Sequence, residues 1–337
     1  MLTASNISLQ PYHSFGSNEK ASYFSTITNK QEIVEFAKWG KEKQLPILVI
    51  GSGTNILFTK NFEGLIGKME LMGIKKIEET ASEVILEVGA GENWHHFVSY
   101  CVQKGWGGIE NLSLIPGTVG ASPIQNIGAY GVEVQECIKS IEAYDTENEK
   151  WIQLSNLDCA FGYRTSLFKQ NPNRYIIASV KFILNKQPQL KTDYGVIREV
   201  LHDKNIKNPS LENVSNAIIQ IRSQKLPDPK TLGNAGSFFK NPSIPSKQYE
   251  ILKEQFPGLI AYPISDDTYK VAAGWLIEAA GWKGARKGNV GCYEKQALVI
   301  VSYGIQSGKE VFDFSEEIIK SVHEKFSIQL EREVNVF

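Results

Sequence analysis

Apolar residues recur at intervals of three and four along several parts of the chain, and this period predicts α-helices. The first is expected over residues 30–44, where Ile33 and Val34 face inward. Asn93 has the side chain of a helix N-cap and precedes apolar residues at helical spacing, and Gly105 is expected to end that helix. Further helices are predicted over residues 211–224, 246–256 and 271–281 and around 311–322.

Other stretches are apolar for only a few residues or alternate with polar ones, which predicts β-strands. The run at 175–184 is long and apolar enough to be a central strand. The last stretch alternates from Ile328 to Val336, and on this period Glu333 faces solvent. Other strands are predicted at residues 47–50, 84–88, 138–144, 151–154 and 297–303.

One segment, residues 111–132, has no charged side chain and shows neither period. Its prolines and glycines interrupt it too often for a membrane span, which needs about 20 predominantly apolar residues in a row. Glycine permits positive φ and close approach to the main chain, and successive backbone N–H groups form an anion-binding nest. The segment therefore indicates a diphosphate site, with a long Gly/Pro turn as the structural alternative.

A second glycine turn, residues 51–55, directly follows the predicted strand at 47–50. A strand that leads into a glycine turn is a phosphate-binding arrangement. No Gly-Lys-Ser/Thr follows, so the turn is not a Walker loop, and Ile56 occupies the place of the third glycine of a dinucleotide fingerprint. Two such turns about 60 residues apart suggest one nucleotide held from two sides.

Composition narrows the class of protein. The chain has 337 residues, of which 42% are hydrophobic, and this length suggests two or three domains. Its 36 basic and 37 acidic residues give a net charge of −1, which does not favour nucleic acid or a membrane surface. The first residues lack the features of a secretion signal, which predicts a cytoplasmic protein. No metal-ligand spacing is present, and reduced structural thiols are expected at Cys101, Cys137, Cys159 and Cys292.

Two polar residues stand out by their surroundings. Arg164 is the only charge in an aromatic turn at residues 159–166, and its fork suits a carboxylate or phosphate, with stacking on the surface as the alternative. Ser237 follows a glycine and precedes Phe238 and Phe239 in a stretch near several lysines, which suits a second anionic ligand. The alternatives are an ordinary turn and core phenylalanines. No Gly-x-Ser-x-Gly motif indicates a hydrolase nucleophile.

These motifs together resemble one family. Residues 115–131 resemble the flavin-binding signature, and residues 51–55 the pyrophosphate loop, of the UDP-N-acetylenolpyruvoylglucosamine reductase (MurB) family of bacterial peptidoglycan synthesis. The insert that contains Tyr194 resembles the form of the enzyme that closes a tyrosine-bearing loop over its substrate. Nearly the whole chain is covered, because further signatures are similar at residues 161–166, 233–242 and 330–334.

The resemblance implies an α+β fold in three domains. An FAD-binding fold of the vanillyl-alcohol oxidase (PCMH) type would comprise a first subdomain at residues 1–68 and a second at 69–222. The C-terminal strand, residues 327–337, is expected to return to the second subdomain. Residues 223–326 would form an α/β domain that binds the UDP-sugar substrate.

The implied activity is that of a UDP-N-acetylmuramate dehydrogenase, which reduces UDP-N-acetylglucosamine enolpyruvate to UDP-N-acetylmuramate. NADPH is the implied co-substrate, and hydride passes from flavin N5 to the enolpyruvyl group. Arg164 is implied to bind the substrate carboxylate, Glu333 to assist as a proton-bearing partner, and Ser237 to protonate the intermediate. Because a serine hydroxyl is a weak acid, Lys225 is a candidate for a supporting cation. A monomer is expected.

The resemblance also implies binding residues. The UDP portion of the substrate would be contacted by Tyr163, Tyr194, Arg222, Lys225, Asn241, Tyr262, Lys283 and Gln296. Non-covalent FAD would be contacted by Gly51, Ser52, Gly53, Thr54, Asn55, Ile115, Pro116, Gly117, Thr118, Gly120, Ala121, Gln125, Asn126, Gly128, Ala129, Tyr130 and Gly131.

The chain departs from the family pattern in two places. Asn335 stands where a basic residue is usual, and His13-Ser14-Phe15 stands where Asn-Thr-Phe is usual. Two other hypotheses stay open at this point: an FAD oxidase of the same fold, or a nucleotide-sugar-binding regulator without activity. Ser237 argues against the oxidase, because an oxidase does not protonate carbon. The presence of Arg164, Ser237 and Glu333 argues against the regulator.

Overall fold

The computed structural model describes residues Thr3 to Phe337. Its helices are α1 Lys30–Glu42, α2 Trp94–Gln103, α3 Leu167–Gln170, α4 Gly195–Asp203, α5 Leu211–Lys225, α6 Ser246–Gln255, α7 Ala273–Ala279 and α8 Lys309–Phe326. Its strands are β1 Ala4–Ser8, β2 Lys20–Ile27, β3 Ile47–Ile50, β4 Ile56–Leu57, β5 Phe62–Met69, β6 Ile74–Glu79, β7 Glu83–Gly89, β8 Gly128–Ala129, β9 Val132–Glu133, β10 Ile138–Asp145, β11 Lys150–Ser155, β12 Tyr175–Asn185, β13 Gly233–Ser237, β14 Ser243–Pro245, β15 Ala261–Ser265, β16 Thr268–Val271, β17 Arg286–Lys287, β18 Val290–Cys292, β19 Val299–Ser302 and β20 Asn335–Val336.

The chain divides into two compact units. The first comprises the segment that ends at Ile7, Ala21–Ser52 and Glu63–Gln224. One of its sheets has the order β1-β2-β5-β3, with β3 and β5 parallel, and the other has the order β11-β10-β12-β7-β6 and is antiparallel. The core includes the rings of α2 and β12, which pack edge to face or tilted because such arrangements suit aromatic quadrupoles.

The second unit comprises Ser8–Lys20, Gly53–Phe62 and Lys225–Phe337. It contains a sheet of order β13-β19-β18-β17, a second of order β14-β16-β15, and the parallel pair β20-β4. The apolar faces of α7 and α8 pack in its core together with Phe238 and Phe239. Both phenylalanines are fully buried, so the core interpretation of this pair is confirmed.

Several local predictions are confirmed. The Asn93 side chain accepts a hydrogen bond from the His96 N–H at 3.0 Å, and Gly105 follows the end of α2 with φ +74°. The strand expected to be central, β12, lies in the middle of the five-stranded sheet. All four cysteines are free and buried, and burial raises the pKa of the Cys137, Cys159 and Cys292 thiols to about 12 and that of Cys101 further still.

The division of the chain differs from the expected one. Position 68/69, the expected boundary between the two flavin subdomains, falls within the first unit. The C-terminal strand β20 pairs with β4, placing Asn335 opposite Ile56, and both belong to the second unit instead of returning to residues 69–222. Three domains therefore stay a prediction. None of the helices in the part of the chain described here is long and apolar enough to cross a membrane.

Candidate active site

The two glycine-rich segments predicted to bind the cofactor meet within the first unit, at Gly51 and Thr118. Gly51 directly follows β3, and an added Cβ there would overlap the Thr118 hydroxyl. Thr118 is buried and forms a bridge with Asn93, while the Trp94 N–H donates to the Gly117 carbonyl at 3.1 Å. Glycine at position 51 is therefore required by the approach of the second segment.

The chemistry of the groups at this meeting point suits a phosphate. Among the described residues, no acceptor pairs with the backbone N–H of Ser52, Gly117 or Thr118. The Lys68 ammonium, a group that the sequence did not single out, donates to the Gly51 carbonyl at 2.7 Å. Backbone N–H groups and an ammonium match the pyrophosphate of FAD, so the residues present fit this cofactor.

The rest of the glycine turn at residues 51–55, from Gly53 onward, belongs to the second unit. Gly53 has φ +63°, and a Cβ there would overlap the Tyr12 carbonyl. The Asn55 carbonyl accepts from the backbone N–H and from the side-chain Nδ2 of Asn335, each at 3.1 Å. Asn335, which departs from the family pattern, therefore holds the end of the predicted pyrophosphate loop.

Packing alone explains some of the predicted cofactor residues. A Cβ on Gly120 would overlap Ala90, so this glycine is needed for close packing within the first unit. Thr54 in the second unit is half-buried. Residues on the first unit's segment that are partly or fully exposed, and so remain accessible to a ligand, are Ile115, Pro116, Ala121, Gln125, Ala129 and Gly131.

Asn126 organises the middle of this segment. It is fully buried, with φ +45°, a conformation that asparagine tolerates better than most residues. Its Nδ2 donates to the Glu133 carboxylate at 2.8 Å and to the Gly162 carbonyl at 3.1 Å, and its Oδ1 accepts from the Gln135 N–H at 3.1 Å. These bonds connect residues 115–131, the predicted cofactor segment, to the turn that carries Arg164.

Arg164 is held by the same segment. Its Nη2 donates to the Gly128 carbonyl at 2.7 Å and its Nη1 to the Asn126 carbonyl at 3.4 Å. The residue is half-buried with φ +54°, and its guanidinium lies 5.5 Å from the centre of the Tyr163 ring, which is itself exposed. Stacking on tyrosine is thus present, but carbonyl acceptors also fix the direction of the fork.

Tyr130, Tyr194 and Arg222 lie together in the first unit. The Tyr130 and Tyr194 rings meet edge to face at 5.5 Å, and Tyr194 is half exposed. The positive charge of Arg222 lies near the Tyr130 phenol, and its Nε donates to the Leu114 carbonyl at 3.2 Å. Burial lowers the pKa of Arg222 and raises that of Tyr130. Arg222, predicted as a substrate contact, therefore also supports the cofactor segment.

Asn111 is a further residue that sequence reasoning missed. It is fully buried, and its Nδ2 donates to the Tyr130 carbonyl at 3.0 Å and to the Lys191 carbonyl at 2.9 Å. It thereby joins the cofactor segment to the stretch that leads to Tyr194. Its position in the uncharged segment was visible, but its partner 80 residues away was not.

In the second unit, Ser237 ends strand β13 and is exposed. The preceding Gly236 has φ +68°, and its N–H donates to the Asn234 side chain at 2.9 Å. Phe238, the next residue, is buried and its N–H donates to the Leu298 carbonyl at 2.8 Å. Within Thr3–Phe337 no group hydrogen-bonds the Ser237 hydroxyl, which leaves it available to a ligand.

Glu333 lies beside this serine. Its N–H donates to the Phe238 carbonyl at 2.8 Å, and its own carbonyl accepts from Asn55 Nδ2 at 3.4 Å. The alternation of residues 328–336 predicts a solvent-facing Glu333, and this prediction is wrong, because the residue is half-buried. Regular strand is confined to Asn335–Val336, and the preceding residues run along residues 238–240.

The predicted substrate residues of the second unit fall into two groups. Asn241 Oδ1 accepts from the Ala273 N–H at 3.0 Å, and Gln296 Oε1 would lie 3.2 Å from a Cβ added at Gly274. Both side chains therefore lie at the start of α7. The other group is exposed: Tyr262 lies on β15, Lys225 ends α5, and Lys283 pairs with Glu278 at 2.8 Å.

Family models match both ends of the chain. The one described as "FAD binding domain" matches residues 21–155, and the one described as "UDP-N-acetylenolpyruvoylglucosamine reductase, C-terminal domain" matches residues 228–337. The latter range includes Glu333 and the C-terminal strand.

Similar proteins cover nearly the whole chain. A UDP-N-acetylenolpyruvoylglucosamine reductase of Pseudomonas syringae pv. tomato is 44% identical over 99% of this chain and 98% of its own length. A protein of the same name from Amoebophilus asiaticus is 45% identical over 98% of each chain. The crystal structure of this reductase from Thermus caldophilus covers 100% of both chains with a TM-score of 0.70 at 21% identity, and it confirms the fold class. The chain therefore belongs to the UDP-N-acetylenolpyruvoylglucosamine reductase family of FAD-dependent oxidoreductases.

Proposed function

We propose that this protein reduces UDP-N-acetylglucosamine enolpyruvate to UDP-N-acetylmuramate with NADPH as reductant. The observation that carries the proposal is the placement of Ser237. Its hydroxyl is exposed and available, and it stands one residue from the backbone bond that holds Glu333. A reductase of this kind must protonate carbon, so an available donor beside a half-buried carboxyl is the arrangement that the reaction needs.

Arg164 is proposed to bind the substrate carboxylate. An enolpyruvyl double bond conjugated to a fully charged carboxylate accepts hydride poorly, because the addition creates a second negative charge on the same group. A guanidinium whose direction is fixed by the Gly128 and Asn126 carbonyls costs little reorganisation when that charge develops. The same fork can bind the carboxylate through two hydrogen bonds.

Ser237 is proposed to deliver the proton and Glu333 to assist at the carboxylate end. The serine oxygen donates its proton to the substrate carbon, and a neighbouring group must supply its replacement. Lys225, exposed at the end of α5, is the proposed supporting cation. Gly236, with open space around its Cα, lets the substrate approach the serine closely.

FAD, when bound, supplies the hydride for the double bond, and NADPH restores that hydride. Its phosphates are proposed to lie at Gly51–Asn55 and its length along residues 115–131. The uridine diphosphate of the substrate is proposed to contact Tyr163, Tyr194, Arg222, Lys225, Asn241, Tyr262, Lys283 and Gln296. We propose a monomer that acts in the cytoplasm.

The test is anaerobic spectroscopy of the purified flavoprotein. NADPH should bleach the flavin absorbance, and UDP-N-acetylglucosamine enolpyruvate should restore it. Ser237→Ala should bleach normally and restore about 10²- to 10⁴-fold more slowly. Ser243→Ala, a change at an exposed serine of the same unit, should behave like the wild type.

Two outcomes would overturn the proposal. If the reduced flavin does not respond to the enolpyruvate but reacts rapidly with oxygen, the protein is an oxidase. If Ser237→Ala restores the absorbance at the wild-type rate, another group delivers the proton.

A further inference from the structure

Lys68 lies where a bound anion would be expected. It sits near the end of β5, opposite Ile50 in the parallel pair β3–β5. Gly51 and Ser52 continue from the carboxyl end of β3. Where parallel strands are open at that end, ligands bind in the crevice beyond it. The lysine and the glycine turn therefore share one edge of the sheet.

The surroundings of the ammonium are unusual for a lysine. The residue is half-buried, and its Nζ donates one hydrogen bond, to the Gly51 carbonyl at 2.7 Å. Within the described part of the chain, no carboxylate comes within ion-pair distance of it. Burial lowers the pKa of Lys68, and the charge of Glu70 opposes this only in part. An ammonium has three donors, so two remain for another acceptor.

Gly51 contacts both this cation and Thr118, which belongs to residues 115–131, the second segment predicted to bind the cofactor. A side chain at position 51 would overlap Thr118, so the glycine lies against the threonine and its carbonyl accepts from the lysine. The N–H groups of Ser52, Gly117 and Thr118, which have no acceptor among the described residues, belong to the same two segments. These backbone N–H groups and the half-buried Lys68 ammonium together favour a bound anion, because a buried charge is costly unless it is paired.

We infer that Lys68 is a phosphate-binding residue and pairs with the pyrophosphate of FAD. The inference rests on the proposed position of FAD at Gly51–Asn55 and residues 115–131. Lys68 then neutralises part of the cofactor's charge, and its bond to the Gly51 carbonyl orients the ammonium. The alternative is a purely structural lysine that only braces the turn.

The experiment measures FAD binding to the apoprotein. Flavin fluorescence titrations should compare wild type, Lys68→Met, Lys68→Arg and Lys75→Met. Lys75→Met is the matched control, because Lys75 is an exposed lysine on β6, the next strand along the chain. Lys68→Met should raise the Kd for FAD about tenfold or more, since a charge-assisted hydrogen bond is lost, and Lys68→Arg should recover most of the affinity. Lys75→Met should bind like the wild type.

Thermal unfolding separates a ligand contact from a brace. If Lys68 pairs with the phosphate, the apoproteins of wild type and Lys68→Met should melt at similar temperatures, and only the stabilisation by added FAD should shrink. If Lys68→Met leaves the Kd for FAD unchanged, the inference is overturned, even if the KM for NADPH rises. A loss of apoprotein stability without a loss of FAD affinity overturns it as well. A wild-type protein that does not bind FAD would contradict the proposed cofactor position itself.

Discussion

The predicted site residues of the two units differ in burial and in the number of hydrogen bonds that their side chains make. In the first unit, Arg164 donates to two carbonyls of residues 115–131, and the Asn126 side chain makes three hydrogen bonds to groups outside that segment. Both residues are at least half-buried. In the second unit, the side chains of Ser237 and Tyr262 are exposed. The side chains of the first unit are held in place before a ligand binds, whereas those of Ser237 and Tyr262 are exposed to solvent.

The difference follows from what each group must do. A cation that stabilises developing charge works best when its direction is preorganised, because reorganisation during the reaction would reduce the effect. A proton donor must instead reach the reacting atom, and internal hydrogen bonds would compete with the substrate for its proton. Substitutions of hydrogen-bonded site residues in the first unit should therefore lower both stability and activity, whereas substitution of Ser237 or Glu333 in the second should lower activity alone.

Glu333→Gln is expected to have a large effect on activity alone. The change keeps the shape of the side chain and the backbone bonds to Phe238 and Asn55, but it removes the carboxyl group. Turnover with the enolpyruvate should fall about 100-fold, while the melting temperature of the protein stays unchanged. Steady-state kinetics and thermal unfolding check this. A melting temperature that falls along with turnover would show that the carboxyl of Glu333 also has a structural role.

Arg164→Lys should show the combined effect. Lysine keeps the charge but loses the planar fork that bonds the Gly128 and Asn126 carbonyls. We expect kcat/KM to fall about tenfold to a hundredfold, and the free energy of unfolding to fall by about 1 kcal/mol. Urea denaturation and steady-state kinetics test this pair of values. Unchanged stability would mean that the carbonyl bonds do not hold the first unit together.

Asn126→Ala should act mainly on stability. It removes three hydrogen bonds of a fully buried side chain and leaves the Gln135 N–H and the Glu133 carboxylate without this partner. The free energy of unfolding should fall by about 2 to 3 kcal/mol. In the second unit, Asn241→Ala removes one bond to the Ala273 N–H and should cost about 1 kcal/mol. Equal losses in the two variants would contradict the contrast between the units.

Acid should weaken the first unit through Asp145. Burial alone would raise the pKa of this carboxyl, but hydrogen bonds from Arg174, Asn148 and the Glu147 N–H outweigh burial and hold the pKa at about 2. Because the folded-state pKa lies below the ordinary value of about 4, the stabilisation is complete above that value and is lost as the pH falls toward 2. The free energy of unfolding of Asp145→Asn, measured between pH 2 and 5, should therefore depend less on pH than that of the wild type.

The smallest effect concerns the thiols, which both units bury. Since burial raises the pKa of Cys137, Cys159 and Cys292 to about 12, little thiolate forms near neutral pH. An aromatic disulfide reagent should react slowly with the folded protein and rapidly after denaturation. Fast labelling of Cys292 alone would reveal local opening of the second unit.

Sequence alone was sufficient where the signal is local. The 3.6-residue period located α1, α2 and α8, and the Asn93 cap and the central strand β12 were predicted correctly. The glycine-rich segments and the family motifs indicated the FAD cofactor. Each of these signals lies within about 20 consecutive residues.

Only the tertiary structure decided which distant residues meet. Lys68 lies in an ordinary strand, Asn111 acts through Lys191, and Asn335 holds Asn55, 280 residues away. Glu333 was misplaced for the same reason: its alternating neighbours predict a solvent-facing side chain, but its backbone pairs with Phe238. Periodicity indicates which side of an element faces the core. The burial and hydrogen bonding of a residue also depend on which distant segment the fold places next to it.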